Sequence, residues 1–269
     1  MSGSPRARVL TIAGSDPGGG AGIQADLKTF SALGVYGMTA ITAVTVQNTE
    51  GVSGFEALSP GLVGAQIRAV ATDIGVDAAK TGMLANTPII EAVADALSEL
   101  GIGTLVVDPV FASKHGHALL ARDAVEALRS AILPLATLVT PNLPEAAGLV
   151  GFDVTTTDDM RRAADAILAM GPGAVLIKGG HLEGSDDASD LLTDGAGERW
   201  LSSPRIDTPH THGTGCTLSA AIAAHLAGGD ALHDAVVAGK AFVTEAIRHA
   251  LPIGHGIGPV DQLWSIPPG

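Results

Sequence analysis

The 269-residue chain has one cysteine, few aromatics and few cations, and each shortage excludes something. A lone cysteine, Cys216, cannot close an internal disulfide, so nothing ties the fold to an oxidising compartment. Aromatics are only 3% of residues against 46% hydrophobic content, so Ala, Val, Leu and Ile must fill the core. Fifteen basic residues face 28 acidic ones, a net charge of −13. Phosphate backbones and acidic membrane surfaces are bound by clustered Lys and Arg, so the charge argues against both as partners. It leaves phosphate-bearing small ligands open, because backbone N–H groups hold those without net positive charge. No apolar run reaches the roughly 18 residues of a membrane helix, and residues 1–8 lack the apolar core of a signal peptide. A cytoplasmic protein is the expectation.

What is abundant is glycine, 35 residues, spread among short aliphatic runs. Strands are expected at 9–13, 38–46, 78–81, 104–107, 138–140 and 174–178. Helices are expected at 21–33, 60–74, 88–100, 158–170, 214–226 and 231–250. In the first helix Ile23, Leu27, Phe30 and Leu33 share a face, with Asp26 on the edge of that stripe. Asp190-Leu191-Leu192 and Arg199-Trp200-Leu201 flank Asp194-Gly195 as an edge hairpin. Alternating strand and helix units imply an α/β fold, a mostly parallel sheet with helices on both faces. A tail over 1–8 and a single domain over 9–266 follow, since no linker or repeat divides the chain. Asp16, Gln47, Lys80, Asp108, Asn142 and Lys178 all fall at or just beyond strand ends, where such sheets bind ligands.

Two glycine-rich segments stand out. Residues 14–22, Gly-Ser-Asp-Pro-Gly-Gly-Gly-Ala-Gly, lack the Gly-Lys-Ser/Thr of a P-loop and do not match the dinucleotide spacing. A tight strand-to-helix turn accounts for them equally well. His212-Gly213-Thr214-Gly215-Cys216 precedes an Ala-rich helix, and glycines there expose helix-start N–H groups to an anion. The same helix dipole would lower the Cys216 thiol pKa; the plain alternative is a helix capped by Thr214 with a small buried cysteine. His210, His212 and Cys216 match no standard zinc spacing. Lys178 at the end of a buried strand needs an anion or solvent. Asp108 and Glu145 offer carboxylates for Mg²⁺, or simply a turn and a favourable first helical turn.

Together these segments resemble the hydroxymethylpyrimidine/phosphomethylpyrimidine kinase family, of ribokinase-like fold, over roughly residues 9–263. The matching pieces are Ile12-Ala-Gly-Ser-Asp16, Gly19-Gly-Ala-Gly-Ile-Gln-Ala-Asp-Leu-Lys28, Thr42-Ala-Val-Thr-Val-Gln-Asn-Thr49 and Lys80-Thr-Gly-Met-Leu84. They continue with Asp108-Pro-Val110, Thr140-Pro-Asn-Leu-Pro-Glu145, Ile177-Lys-Gly-Gly-His181, His212-Gly-Thr-Gly-Cys-Thr-Leu-Ser219 and Gly254-His-Gly-Ile-Gly-Pro259. The chain departs from the pattern at Phe111-Ala-Ser-Lys-His115 and slightly at Ser15-Asp16-Pro17-Gly18.

The resemblance implies an ATP- and Mg²⁺-dependent kinase without a separate lid, which phosphorylates 4-amino-5-hydroxymethyl-2-methylpyrimidine and then its monophosphate in thiamine biosynthesis. Asp26 and Gln47 would bond the aminopyrimidine, with Gly14, Met83 and Val110 lining its pocket. Lys178 and Asn142 would meet ATP, and Asp108 and Glu145, with Asn142, would organise Mg²⁺. Gly213, Thr214 and Gly215 would form the anion hole, with Cys216 as proton acceptor. A homodimer is expected on the same ground. Pyridoxal kinase, sharing the fold and the cysteine-containing anion hole, is the neighbouring alternative. A nucleotide-binding oxidoreductase and a non-catalytic nucleotide-binding regulator are the readings from other classes.

Overall fold

In a computed structural model the residues described are 6–111, 119–120, 124–180 and 187–266. Residues 112–115 of the departing stretch, and His181, lie outside them. The strands of the described residues form one sheet in the order β3-β2-β1-β4-β5-β6-β7-β8-β9. Six of them, β1 (Arg8–Ser15), β2 (Tyr36–Asn48), β4 (Ala78–Thr81), β5 (Leu105–Val107), β6 (Leu138–Val139) and β7 (Val175–Ile177), run parallel. Antiparallel strands finish both edges: β3 (Gly51–Ala57) on β2, and the hairpin of β8 (Asp187–Thr193) and β9 (Glu198–Pro204) on β7. The hairpin joins the anticipated segments, with Asp190 opposite Leu201 and Leu192 opposite Arg199.

Alternation along the strands divides the core into two layers. Val9, Val106, Leu138 and Leu176 pack beneath α1 (Gly22–Ala32), α7 (Thr214–Ala227) and α8 (Leu232–Arg248). Leu10, Ile12, Leu105 and Val107 pack on the other face. There they meet α2 (Pro60–Asp73), α3 (Thr87–Glu99), α4 (Ala124–Ala127), α5 (Leu143–Val150) and α6 (Thr157–Leu168). With almost no aromatic bulk, small side chains let the helices come close: a Cβ on Gly239 of α8 would lie 2.6 Å from Ile222 of α7. Beyond α4 the chain continues as a π turn, Leu128–Ile132, and a 3-10 turn, Leu133–Leu135, neither foreseen from the sequence.

Chain order reverses between β1 and β4, so the carboxyl ends of these two strands flank the crevice where open α/β sheets bind ligands. The pairing register shifts between Ala13 and Ser15 and between Val46 and Gln47, at the strand ends that border it.

Candidate active site

A cavity of about 570 Å³ opens over the carboxyl ends of the parallel strands. It is lined by every residue assigned above to substrate, ATP, metal or catalysis except Asp26.

At one end stand Gly14, Gln47, Met83 and Val110. A Cβ on Gly14 would sit 3.0 Å from the Met83 sulfur, so the glycine is what lets Met83 pack against β1. Met83 is held in turn by Thr42, whose Oγ1 donates to its carbonyl at 2.6 Å. Thr45 Oγ1 donates to Ser15 O at 2.8 Å, pinning the end of β1 to β2 beside Gln47.

Asp26 lies below this end rather than in it. It is fully buried; its Oδ2 accepts from Thr11 Oγ1 at 2.5 Å, and its two oxygens take Lys80 Nζ at 2.9 and 3.1 Å. Thr11 and Lys80 are register partners on β1 and β4, so both emerge on the face covered by α1, where Asp26 meets them. Asp26 thus bonds Thr11 and Lys80 inside the protein and does not line the cavity, where the resemblance would have it meet the pyrimidine. Burial works against the Lys80 ammonium, but Asp26, Cys216 and Asp108 outweigh it and hold its pKa above the ordinary lysine value.

At the centre Lys178 Nζ lies 3.1 Å from Asp108 Oδ1 and 3.7 Å from Glu145 Oε2. Asp108 follows β5 and Lys178 follows β7, so the parallel sheet delivers both to one edge. Burial opposes the Lys178 charge, yet Asp108 and Glu145 raise its pKa above normal. Asn142 and Glu145 form a capping box on α5: Asn142 Oδ1 accepts the Glu145 N–H, and Glu145 Oε2 accepts the Asn142 N–H, both at 2.8 Å. Burial first, and Asp108 next among the groups that raise it, push the Glu145 carboxyl up to about 7 against the pull of Lys178 and the Asn142 N–H.

Over this cluster sits the start of α7. Gly213 is its N-cap, in the left-handed region at φ +83°, with no side-chain cap. Thr214 does not cap the helix; its Oγ1 turns back to Thr211 O at 2.8 Å. The first-turn N–H groups of Gly215 and Cys216 are therefore left for a ligand. A Cβ on Gly215 would stand 3.4 Å from Lys178 Nζ and 3.5 Å from Asp108 Oδ2, so the start of α7 lies directly against the charged cluster.

Cys216 differs from the expectation of a lowered thiol pKa. Burial pushes it up to about 11, as do Asp26 and Asp108, while Lys80 and the Gly22 N–H pull it down. A helix dipole acts within one turn at about 0.3–1 kcal/mol where exposed, which the desolvation of this half-buried thiol and its two acidic neighbours outweigh.

The first glycine-rich turn braces the second. Asp16 accepts N–H bonds from Gly18, Gly20 and Ala21 at 2.8–3.1 Å, and its Oδ2 lies 2.9 Å from His212 Nε2. Burial tends to raise the Asp16 pKa, but His212 and the backbone donors win and hold it below the ordinary carboxylate value. A Cβ on Gly213 would lie only 1.8 Å from Gly20 O, and one on Gly20 only 2.5 Å from the His212 ring. The residues 254–260 complete the brace: Ile257 N–H donates to Thr49 O at 2.8 Å, and Val260 N–H to His212 O at 3.0 Å. Among the described residues no three His, Cys, Asp or Glu converge as a metal cage, so the His210, His212 and Cys216 grouping is not one.

The far end was not foreseen. Ala188, Leu218, Val243 and Ile247 give it an apolar wall, and Lys240 and Thr244 add polar groups. The available signal was Lys240 itself, a cation on the inward face of an Ala-rich helix.

An uncapped helix start, a lysine and two carboxylates lining one cavity suit a phosphotransferase acting on a small molecule. The comparisons narrow the class. A model of the phosphomethylpyrimidine kinase family matches residues 16–261, and the chain belongs to that family. The hydroxymethylpyrimidine/phosphomethylpyrimidine kinase of Streptomyces coelicolor is 56% identical over 96% of this chain and 95% of its own. Among solved structures, an ADP complex of Bacillus subtilis pyridoxal kinase superposes with a TM-score of 0.89 at 44% identity, covering 96% of this chain and 97% of that one. Staphylococcus aureus pyridoxal kinase with AMP-PCP and pyridoxal gives 0.89 at 38% identity, over 97% and 95%.

Proposed function

We propose that this kinase transfers the γ-phosphoryl group of ATP to the hydroxymethyl oxygen of 4-amino-5-hydroxymethyl-2-methylpyrimidine and then to the resulting monophosphate. The observation that carries this reading is the single cavity, which joins the Gln47–Met83–Val110 pocket to the Lys178–Asp108 cluster under the 213–216 amides.

The flat pyrimidine occupies the end walled by Gly14, Met83 and Val110, and Gln47 offers both a donor and acceptors to an aminopyrimidine edge. Adenosine occupies the apolar end near Leu218, Val243 and Ile247, leaving its phosphates over Lys178 and Asn142. As the phosphoryl group moves, its charge spreads over equatorial oxygens, where the Gly215 and Cys216 N–H groups and the helix dipole meet it. Lys178 exchanges its carboxylate partners for phosphate oxygens. Cys216 is the candidate proton acceptor on this helix turn, and it can take the alcohol proton only in its thiolate form, which the nearby Lys80 favours.

The donor set suits Mg²⁺, which takes one or two protein carboxylates and completes its octahedron with phosphate and water. Asp108 and Glu145, converging on one ammonium, would hold it. Bound there, it would neutralise charge on the phosphate chain.

No helix of the described residues is long and apolar enough to cross a membrane. We place the enzyme in the cytoplasm, working as a homodimer whose contact draws on Tyr36, Val44 and Val46, exposed on β2. The likeness to pyridoxal kinases gives a second reading of the same chemistry on another hydroxymethyl heterocycle. Purified protein with Mg²⁺–ATP and each alcohol separately decides between them by mass spectrometry of the products. The pyrimidine is expected to yield mono- and diphosphate at the higher kcat/KM. Faster turnover of pyridoxal would overturn the assignment.

A further inference from the structure

The adenosine end of the cavity holds a buried ion pair that the phosphoryl chemistry does not call on. Lys240 and Asp190 are only 8% and 6% exposed. Lys240 Nζ donates to Asp190 Oδ2 at 2.7 Å and to Ala188 O at 2.9 Å, tying α8 to β8. Asp190 Oδ1 accepts the Gly179 N–H at 2.9 Å. Gly179 directly follows Lys178, whose own N–H is fixed to Pro141 O at 2.8 Å. Gly180 O in turn accepts Arg205 Nη1 at 2.9 Å.

A charged pair beside Leu192, Val236 and Val243 is an expensive way to fill space, since well-packed apolar side chains there serve stability equally well. What the pair supplies is direction. One carboxylate oxygen is locked by Lys240, so the other can present itself only to Gly179. The backbone that carries Lys178 is thus fixed from the nucleotide-facing helix. The third ammonium hydrogen of Lys240 has no acceptor among the described residues, and the side chain lines the cavity.

We propose that Lys240 is a positioning residue for the nucleotide: through Asp190 it clamps the Gly179 amide and sets Lys178 at the reach the ATP phosphates require. The inference rests on assigning this end of the cavity to the nucleotide.

The test compares Lys240→Met, Lys240→Arg and Asp190→Asn with the parent enzyme. Lys240→Met is expected to raise KM for ATP about tenfold and weaken ADP binding in calorimetry to match, with KM for the pyrimidine within about twofold of the parent. Lys240→Arg, which keeps the charge and a donor, is expected to recover most of the ATP affinity. An unchanged ATP KM in Lys240→Met, or the two KM values rising in step, overturns the proposal, because a merely structural pair would loosen both ends of the cavity alike. If Lys240→Met does not fold, the same criterion applies to Asp190→Asn, which keeps the shape and an acceptor for Gly179 but loses the charge. If the parent phosphorylates neither alcohol, the functional reading fails; calorimetry with ADP still decides the inference, equal affinities in parent and variant overturning it.

Discussion

Glu145 ties the chemistry of the site to the stability of the fold, and the size of that tie follows from its surroundings. Its carboxyl is buried against Asp108 and raised from 4.5 to about 7. A raised folded-state pKa means that the native protein binds this proton more tightly than the unfolded chain. The corresponding stability is fully present below about pH 4.5, drains away as pH rises, and is gone above about pH 7. The gap between 4.5 and about 7, at about 1.4 kcal/mol per pH unit, gives about 3 kcal/mol. Glu145→Gln removes the titration while keeping the capping box, because a Gln side-chain oxygen accepts the Asn142 N–H as well. Urea unfolding of nucleotide-free protein in EDTA, at pH 5 and pH 8, is the assay. The parent is expected to lose about 2.5 kcal/mol more than Glu145→Gln between the two pH values, since part of the effect is already gone at pH 5. Equal losses in the two proteins would refute the reasoning, for then Glu145 is already ionised at pH 5 and Lys178 fully offsets its burial.

Two further outcomes follow from the cluster beneath the anion hole. With the thiol near 11, about one Cys216 in ten thousand is thiolate at pH 7, so alkylation of this lone cysteine is expected to be slow there and to accelerate about tenfold per pH unit up to pH 10. Cys216→Ala is expected to lower kcat about 10²-fold with little change in KM, and nearly full turnover would remove the cysteine as proton acceptor. Asp26→Asn breaks a fully buried pair and is expected to cost about 3–5 kcal/mol in denaturant unfolding, whereas a contact with the pyrimidine would show first as a raised pyrimidine KM.

Much of this architecture is legible in the sequence because a parallel sheet is regular. Ala78–Thr81 is delimited to the residue, and Asp16, Asp108 and Lys178 directly follow β1, β5 and β7. The edge strand Gly51–Ala57 is not legible: with glycine at 51 and 54 it carries no strand pattern and exists by pairing with β2. The short helix Leu143–Val150 shows only as a favourable place for Glu145, since eight residues give periodicity little room. The burial of Asp26 is not legible because the edge of an apolar stripe admits both solvent and a buried partner, and that partner, Lys80, is 54 residues away. Cys216 is misjudged because a helix start is visible in sequence while the acidic groups around it are not. The Asp190–Gly179 and Lys240–Asp190 links escape notice for the same reason: they join segments whose meeting only the folded chain brings about.

The brace between the two glycine turns bears on the order in which a nascent chain becomes an enzyme. Asp16 meets His212 across 196 positions, and Gly20 O accepts Gln262 Nε2 across 242. Substrate pocket, lysine and carboxylates are all encoded before residue 180, yet the turn that opposes them, and the segment that locks it, emerge last. A growing chain can therefore complete most of its sheet and still lack the means to hold a phosphoryl group, so ATP meets a working site only when synthesis of the fold is essentially over.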